Sequence, residues 1–400
     1  MSSIQNLDVA RARSETPGCT QVNHLNNAGT ALPPARVTDT VITHLRAEAL
    51  RGGYEAAAEA EPRLAGVRGS IARLLNAEAG DIALAESATR AWQSIFYSIP
   101  FRPGDRILTC RAEYASNAIA FLQVAARTGA QVEVVEDDES GQLDVADLQR
   151  RLDDRVKLIS LTHVPTQGGL VNPAEKVGEI ARRAGVTFLL DACQSAGQLQ
   201  LDVQRLRCDA LTAPGRKYLR GPRGTGFLYV GPRLREKVEP AMLDLHSATW
   251  TDPHRYRVHD SARMFETWER NVAATLGLGA AVDYALSWGM DAIEERVCAL
   301  GRKLREELRQ IPGVKVHDQG TRQCGIVTFT VAGTPSAEVQ SELSLSGVNV
   351  SVSLREYSQY DLPARGLPDV VRASVHYYNT EEELQHLAKA LDQLRSATSR

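Results

Sequence analysis

Four hundred residues suffice for one large domain plus a smaller one, with a substantial buried core. Hydrophobic content of 43% and charged content of 24% are ordinary for a soluble globular chain, and a formal net charge of -3 argues against nucleic acid held by bulk electrostatics. No apolar run reaches the length of a membrane span, and the six cysteines are scattered without a C-x-x-C pair, so a membrane partner, a metal site and a disulfide framework are all unexpected.

The N-terminal stretch MSSIQNLDVARARSETPG lacks the apolar core of an export signal, so the expected compartment is the cytoplasm, with thiols reduced. The first informative segment is AESAT (85–89), a small-residue turn feeding the helical pattern TRAWQSIFYSI; such a helix N-terminus suits an anion. Strand-like runs follow at 106–110, 132–136, 157–161, 186–191, 209–213 and 225–230. Helical patterns alternate with several of them, among them NAIAFLQVAARTG and PAEKVGEIARRAG; the latter opens on Pro173 and closes on Gly185. This alternation predicts an α/β fold with a mostly parallel sheet covered by helices on both faces.

Beyond residue 270 come two long helical patterns, then GIVTFTV, VNVSVSL, VVRASVHYY and the helix EEELQHLAKALDQL. The chain therefore divides into an expected large domain over 25–270 and a smaller α+β domain from 1–24 and 271–400.

Sheets of this kind bind ligands at the carboxyl ends of their strands. There stand Asp191 and Gln194 after VTFLL, Thr162 and His163 after KLISL, and Glu113, Tyr114 and Asn117 after RILTC. Lys217 follows ALTA in the glycine- and proline-rich run GRKYLRGPRGTG; it is one of only seven lysines among the 46 basic residues. Singly, each suits a structural role: Asp191 a helix N-cap, Tyr114 a core aromatic, Thr89 a first-turn residue. Together they match the needs of pyridoxal phosphate, which takes a lysine for its imine, an acid at its ring nitrogen, donors for its phosphate and a stacking partner.

The motifs LNNAG, ESAT, EY..N, HV.T..G, LLDACQSAGQL, GRKYLRGPRGTGFLYV and RASVHYYNTEEEL occur in that order. In them the chain resembles fold-type I pyridoxal-phosphate enzymes of the class V aminotransferase group, which holds cysteine desulfurases and isopenicillin-N-epimerase-like proteins. The resemblance runs from residue 24 to residue 384. It implies that Lys217 carries the cofactor, Asp191 pairs with the ring nitrogen and Gln194 bonds the phenolic oxygen. It further implies that Ala88, Thr89 and Arg216 hold the phosphate, that Tyr114 stacks on the ring, and that His163 lies against the cofactor. Arg372 would grip the substrate carboxylate, with Asn27 and Thr166 near the substrate. A homodimer with active sites at its interface and a small amino-acid substrate are also implied.

The departures bear on the reaction. Desulfurases carry a nucleophilic cysteine on a loop before the arginine motif, and the corresponding VNVSVSLREYSQYDLPARGLPDVV has none. Pro214 replaces a serine, and FETWERN offers Glu269 and Arg270 where relatives supply a phosphate-binding threonine across the dimer; Arg270 is the candidate substitute. The leading expectation is a carbon–sulfur lyase acting on a cysteine S-conjugate in sulfur-containing secondary metabolism. It would release a thiol, pyruvate and ammonia. Aminotransferase, epimerase and oxidative decarboxylase chemistry are the alternatives.

Overall fold

The computed structural model describes residues 7–398. A seven-stranded sheet forms its centre: β1 (Ile82–Ala85), β2 (Arg106–Thr109), β3 (Gln131–Val134), β4 (Val156–Thr162), β5 (Thr187–Asp191), β6 (Ala210–Pro214) and β7 (Gly226–Val230). The spatial order is β1-β7-β6-β5-β4-β2-β3. Strands β3, β2, β4, β5 and β6 run parallel, whereas β7 is antiparallel to both β6 and β1. The six strand-like runs of the sequence coincide with β2 to β7; β1, whose IALA is short and alanine-rich, carries a weaker signal and was not anticipated.

Strand alternation divides the core between two faces. Ile107, Leu158, Leu189 and Leu228 point to one face. There they meet helices α3 (Ala88–Phe96) and α4 (Ala115–Thr128), whose Trp92, Phe96 and Phe121 form an aromatic cluster. Leu108, Ile159, Phe188 and Leu190 point to the other face and join a core that continues into the C-terminal part of the chain. Helix α5 (Ala174–Ala184) supplies the crossover between β4 and β5. It begins at Pro173 and stops at Gly185, whose positive φ of 70° satisfies the last turn.

Helices α1 (Ala35–Arg51) and α2 (Gly53–Leu75) precede this sheet, and α6 (Val272–Trp288) packs along both of them. The next helix, α7 (Met290–Arg309), leads into a second, antiparallel sheet of β8 (Val314–Val316), β9 (Ile326–Val331), β10 (Ser351–Ser353) and β11 (Val370–Ser374), ordered β8-β9-β11-β10. Helices α8 (Ser336–Leu345) and α9 (Glu381–Thr398) cover it. The N-terminal segment joins this second unit: Asn23–His24 pairs parallel with 348–349, and Asn26 bridges to Ser374. Because α6 lies with α1 and α2, we propose that the division falls at Gly289 rather than after residue 270. Residues 1–6 and 399–400, assigned to the small domain, lie outside the described residues.

One buried carboxylate ties α2, β1 and the 240–270 segment together. Glu266 is 4% exposed and accepts from Arg68 Nε at 3.0 Å and Nη2 at 2.5 Å, His246 Nε2 at 3.0 Å and the Leu84 amide at 2.8 Å. Burial alone would raise its pKa, but His246, Arg68 and the amide together bring it to about 2. The folded pKa lies below the ordinary 4.5, so this stabilisation is present above pH 4.5 and lost as pH falls toward 2. Glu266→Gln should therefore lower unfolding free energy by about 3 kcal/mol at neutral pH, because it strands a buried guanidinium. Urea denaturation at pH 7 and at pH 3 checks this, the difference shrinking at the lower pH.

Candidate active site

The carboxyl ends of β4, β5 and β6 open into one cavity together with the N-terminus of α3. Lys217 stands three residues beyond β6, on a loop whose base closes through Gly215 N to Thr225 O (3.0 Å) and Gly221 N to Gly215 O (2.7 Å). Gly215 has to be glycine here, since a Cβ would lie 2.3 Å from Thr225 Oγ1. Burial and the guanidiniums of Arg216 and Arg372 push the Lys217 pKa down, opposed by the Asp191 carboxylate.

Asp191 ends β5 facing the cavity and is 4% exposed. Its Oδ1 accepts the Cys193 amide at 2.9 Å and its Oδ2 accepts Asn117 Nδ2 at 3.0 Å. Gln194 also lines the cavity; its Nε2 donates to Ala28 O (3.1 Å) and Thr166 Oγ1 (3.3 Å), while its Oε1 is buried with no partner. At the opposite wall Ser87 caps α3, accepting the Arg90 amide at 3.2 Å, and Ala88 and Thr89 offer the helix's first turn to the cavity. Gly226 on β7 permits this approach, because a Cβ there would lie 2.7–2.8 Å from the Ser87 and Ala88 backbone. Tyr114, 36% exposed, and Arg216 complete the wall; Arg216 Nη1 donates to the Gly29 carbonyl.

Lys217, Asp191, Gln194, Ala88, Thr89, Tyr114, Arg216 and Thr166 thus share one cavity. Arg372, on β11 of the second sheet, reaches its rim through Thr166, donating to both the carbonyl and the hydroxyl of that residue and to Asn26 Oδ1 at 3.3 Å. Buried without a carboxylate partner, its guanidinium falls to a pKa of about 10, and its Nε has no partner. A desolvated cation in this state favours an incoming anion.

Two expected residues, His163 and Asn27, are placed elsewhere, and Arg270, expected to serve the site across the dimer, lies outside the cavity of its own chain. His163 follows Thr162 on β4, so it points to the other face of the sheet, into a separate cavity shared with Asn172 and Arg322. Burial and then Arg322 hold it neutral, with a pKa of about 3. Arg270 sits beside Glu266, 3.6 Å from its Oε2, outside the Lys217 cavity of its own chain. Asn27 is 0% exposed: its Nδ2 donates to His24 O, Ser374 O and Asn379 Oδ1, and its Oδ1 accepts from Tyr378. Its neighbour Asn26 takes the place beside Arg372. The doublet NN carries no signal of which asparagine faces inward; only the bridge of Asn26 to Ser374 decides it.

The residues present fit pyridoxal phosphate: an amine with a depressed pKa, a buried carboxylate across from it, a helix N-terminus for a phosphate, and an unmatched buried acceptor on Gln194. Fold and site together define a fold-type I pyridoxal-phosphate enzyme. The Aminotransferase class-V family profile matches residues 23–387, and the chain belongs to that family. A probable cysteine desulfurase of Xylella fastidiosa is 32% identical, the alignment covering 93% of this chain and 90% of the relative. Another from Methanothermobacter thermautotrophicus is 29% identical over 91% and 92% of the two chains. The fold is shared with the apo cysteine desulfurase of Thermococcus onnurineus (TM-score 0.91, 24% identity, 99% and 100% covered). It is shared also with the cystine C–S lyase C-DES in complex with its product cysteine persulfide (TM-score 0.85, 23% identity, 94% and 99% covered).

The two asparagines should separate cleanly on substitution. Asn27→Ala removes four buried hydrogen bonds and should cost about 3 kcal/mol of stability. Asn26→Ala should leave the melting temperature nearly unchanged while raising the KM for an amino-acid substrate by freeing the Arg372 fork. Thermal melts paired with steady-state kinetics check both.

Proposed function

We propose that this chain is a pyridoxal-phosphate-dependent C–S lyase that releases a thiol, pyruvate and ammonia from a cysteine S-conjugate and water. One observation carries the reading: the site has no thiol suited to capture sulfur. The 354–369 segment has no cysteine, and Cys193 is the one cysteine that lines the Lys217 cavity. Burial and the adjacent Asp191 carboxylate raise its pKa well above that of an ordinary thiol, so it stays protonated and is a poor nucleophile. The relatives described as cysteine desulfurases, and the C–S lyase with the same fold, support C–S bond chemistry; the missing cysteine favours elimination over sulfur transfer.

Lys217 would hold the cofactor covalently, Asp191 its ring nitrogen, Gln194 its phenolic oxygen, and Ala88, Thr89 and Arg216 its phosphate, with Tyr114 against the ring. When bound, the cofactor supplies an electron sink for bonds broken at the substrate's α-carbon. Lys217, its pKa lowered by burial, serves as the base that takes the α-proton. Arg372 receives the substrate carboxylate on a guanidinium already oriented by Thr166 and Asn26. A homodimer is supported by exposed apolar side chains on α1 and α2 (Leu45, Leu50, Tyr54) and in the 240–270 segment (Leu245, Trp250, Trp268).

Purified protein loaded with pyridoxal phosphate should form stoichiometric thiol and pyruvate from S-alkyl cysteines without an added keto acid. Lactate dehydrogenase coupling and a thiol reagent read the two products. Keto-acid-dependent turnover without pyruvate would make the chain an aminotransferase instead, and alanine formed from cysteine would make it a desulfurase. Lys217→Ala should lose the cofactor's visible band on desalting and at least 1000-fold in rate, the order expected for loss of both base and covalent attachment.

A further inference from the structure

A second buried carboxylate lies behind Asp191. Glu113 is 3% exposed, just beyond the end of β2, and every polar contact it makes is with a donor. Thr109 Oγ1 donates to its Oε2 at 2.6 Å; Thr162 Oγ1 at 2.5 Å, the Tyr114 amide at 2.7 Å and Asn117 Nδ2 at 3.0 Å all donate to its Oε1. An ionised carboxylate is the side chain that accepts all four at once. No cation pairs with it among the described residues, which makes its retention in the core costly. Burial, and next to it the charge of Asp191, raises its pKa, opposed by the threonine hydroxyls.

Asn117 joins the two acids. Its Nδ2 donates to Glu113 Oε1 and to Asp191 Oδ2, each at 3.0 Å, one N–H to each carboxylate. The amide cannot be turned over, because its oxygen would then face two carboxylates. Glu113 thereby dictates which atom of Asn117 meets Asp191. It also accepts the Tyr114 amide at the start of α4, the helix that carries Asn117, and it fastens the ends of β2 and β4 through Thr109 and Thr162. The second oxygen of Asp191 is held independently by the Cys193 amide.

We propose that Glu113, acting through Asn117, is a positioning residue for the acid that serves the cofactor's ring nitrogen: it fixes the orientation of the Asp191 carboxylate and adds negative charge behind it, so that the ring nitrogen keeps its proton. This rests on the reading that Asp191 faces that nitrogen. A fixed acceptor and a buried negative charge both raise the proton affinity of a group bound across from them. Neither effect requires Glu113 to touch substrate or cofactor.

The test uses holoenzyme loaded with pyridoxal phosphate labelled with 15N at the ring nitrogen, whose chemical shift reports protonation directly, alongside the cofactor off-rate measured by transfer to an apo acceptor protein. Glu113→Gln and Asn117→Ala should each lower the ring nitrogen's titration by about one pH unit and speed cofactor loss about tenfold, the size expected for one charge-assisted hydrogen bond. The double variant should do no more than the larger single change, because both act along one path. If Glu113→Gln fails to fold, Glu113→Asp replaces it: the shorter side chain withdraws from Asn117 and should give the same lowering. A normal ring-nitrogen shift and off-rate in folded variants, with only a lower melting temperature, would make the pair a structural feature and overturn the proposal. Asp191→Asn separates the two levels. If it too leaves the nitrogen unchanged, the placement of Asp191 itself fails; if it deprotonates the nitrogen while the Glu113 and Asn117 variants do not, the inference about Glu113 alone falls.

Discussion

The position of Lys217 depends on a guanidinium three residues away. Arg220 is 1% exposed and has no carboxylate partner among the described residues. It donates to Leu32 O at 2.8 Å, Tyr377 OH at 2.6 Å and Thr16 Oγ1 at 2.5 Å, and lies 4.6 Å, 5.2 Å and 5.5 Å from the ring centroids of Tyr378, Tyr377 and Tyr284. A cation out of water is expensive unless donors are matched and electron-rich faces replace the lost solvent; here hydroxyls, a carbonyl and three rings do so. Arg220 also takes a left-handed backbone conformation, φ 63°, which closes the turn through its amide to Lys217 O. Beside it His376 Nε2 meets Tyr218 O at 2.9 Å. The lysine loop of the large sheet is therefore clamped by the N-terminal segment, α6 and the residues that follow β11. An amine cannot be aimed at a cofactor from a loose loop, and this clamp supplies the rigidity.

Around that fixed amine the charges are sorted by position. Arg216, Lys217 and Arg372 place three basic groups about the cavity; of the acids, Glu86 lines it just ahead of α3, Asp191 ends β5, and Glu113 is buried behind Asp191. Under the proposed function the anionic groups of cofactor and substrate would meet these cations and the amides of α3, and Asp191 would favour a proton on the ring nitrogen. Arg372 comes from the second sheet, yet Thr166 from the large one orients it. The proposed carboxylate grip would therefore require both sheets in register, which the shared hydrophobic core enforces. The same arrangement explains why Cys193 stays inert: a thiol pressed against Asp191 in a dry site holds its proton.

Much of this was legible in the sequence, and the failures have a common cause. Six of the seven strands were legible because buried strands appear as short apolar runs bounded by turn residues; β1 was not, because two of the four residues in IALA are alanine, a weak strand former. Lys217 and Asp191 were legible because their motifs are local and the rule that strand ends form sites needs only the order of elements. His163 was placed at the site because it follows a strand, but consecutive strand residues face opposite sides, and where β4 stops pleating decides that Thr162 and not His163 faces inward. Asn26 and Asn27 differ by the same single step. Glu113 and Asn117 stand after a strand end in the sequence, yet the bond from Asn117 to Asp191 spans 74 residues and has no local signature.

The chain by itself thus determined the class of fold and which residues to inspect, Lys217, Asp191 and the start of α3, because each follows from periodicity or from a contiguous motif. Tertiary structure alone decided which face each neighbouring side chain took, how Arg372 is oriented across two sheets, and which buried groups pair. Those outcomes depend on register and on contacts between residues far apart in sequence, where spacing along the chain carries no information about distance in space.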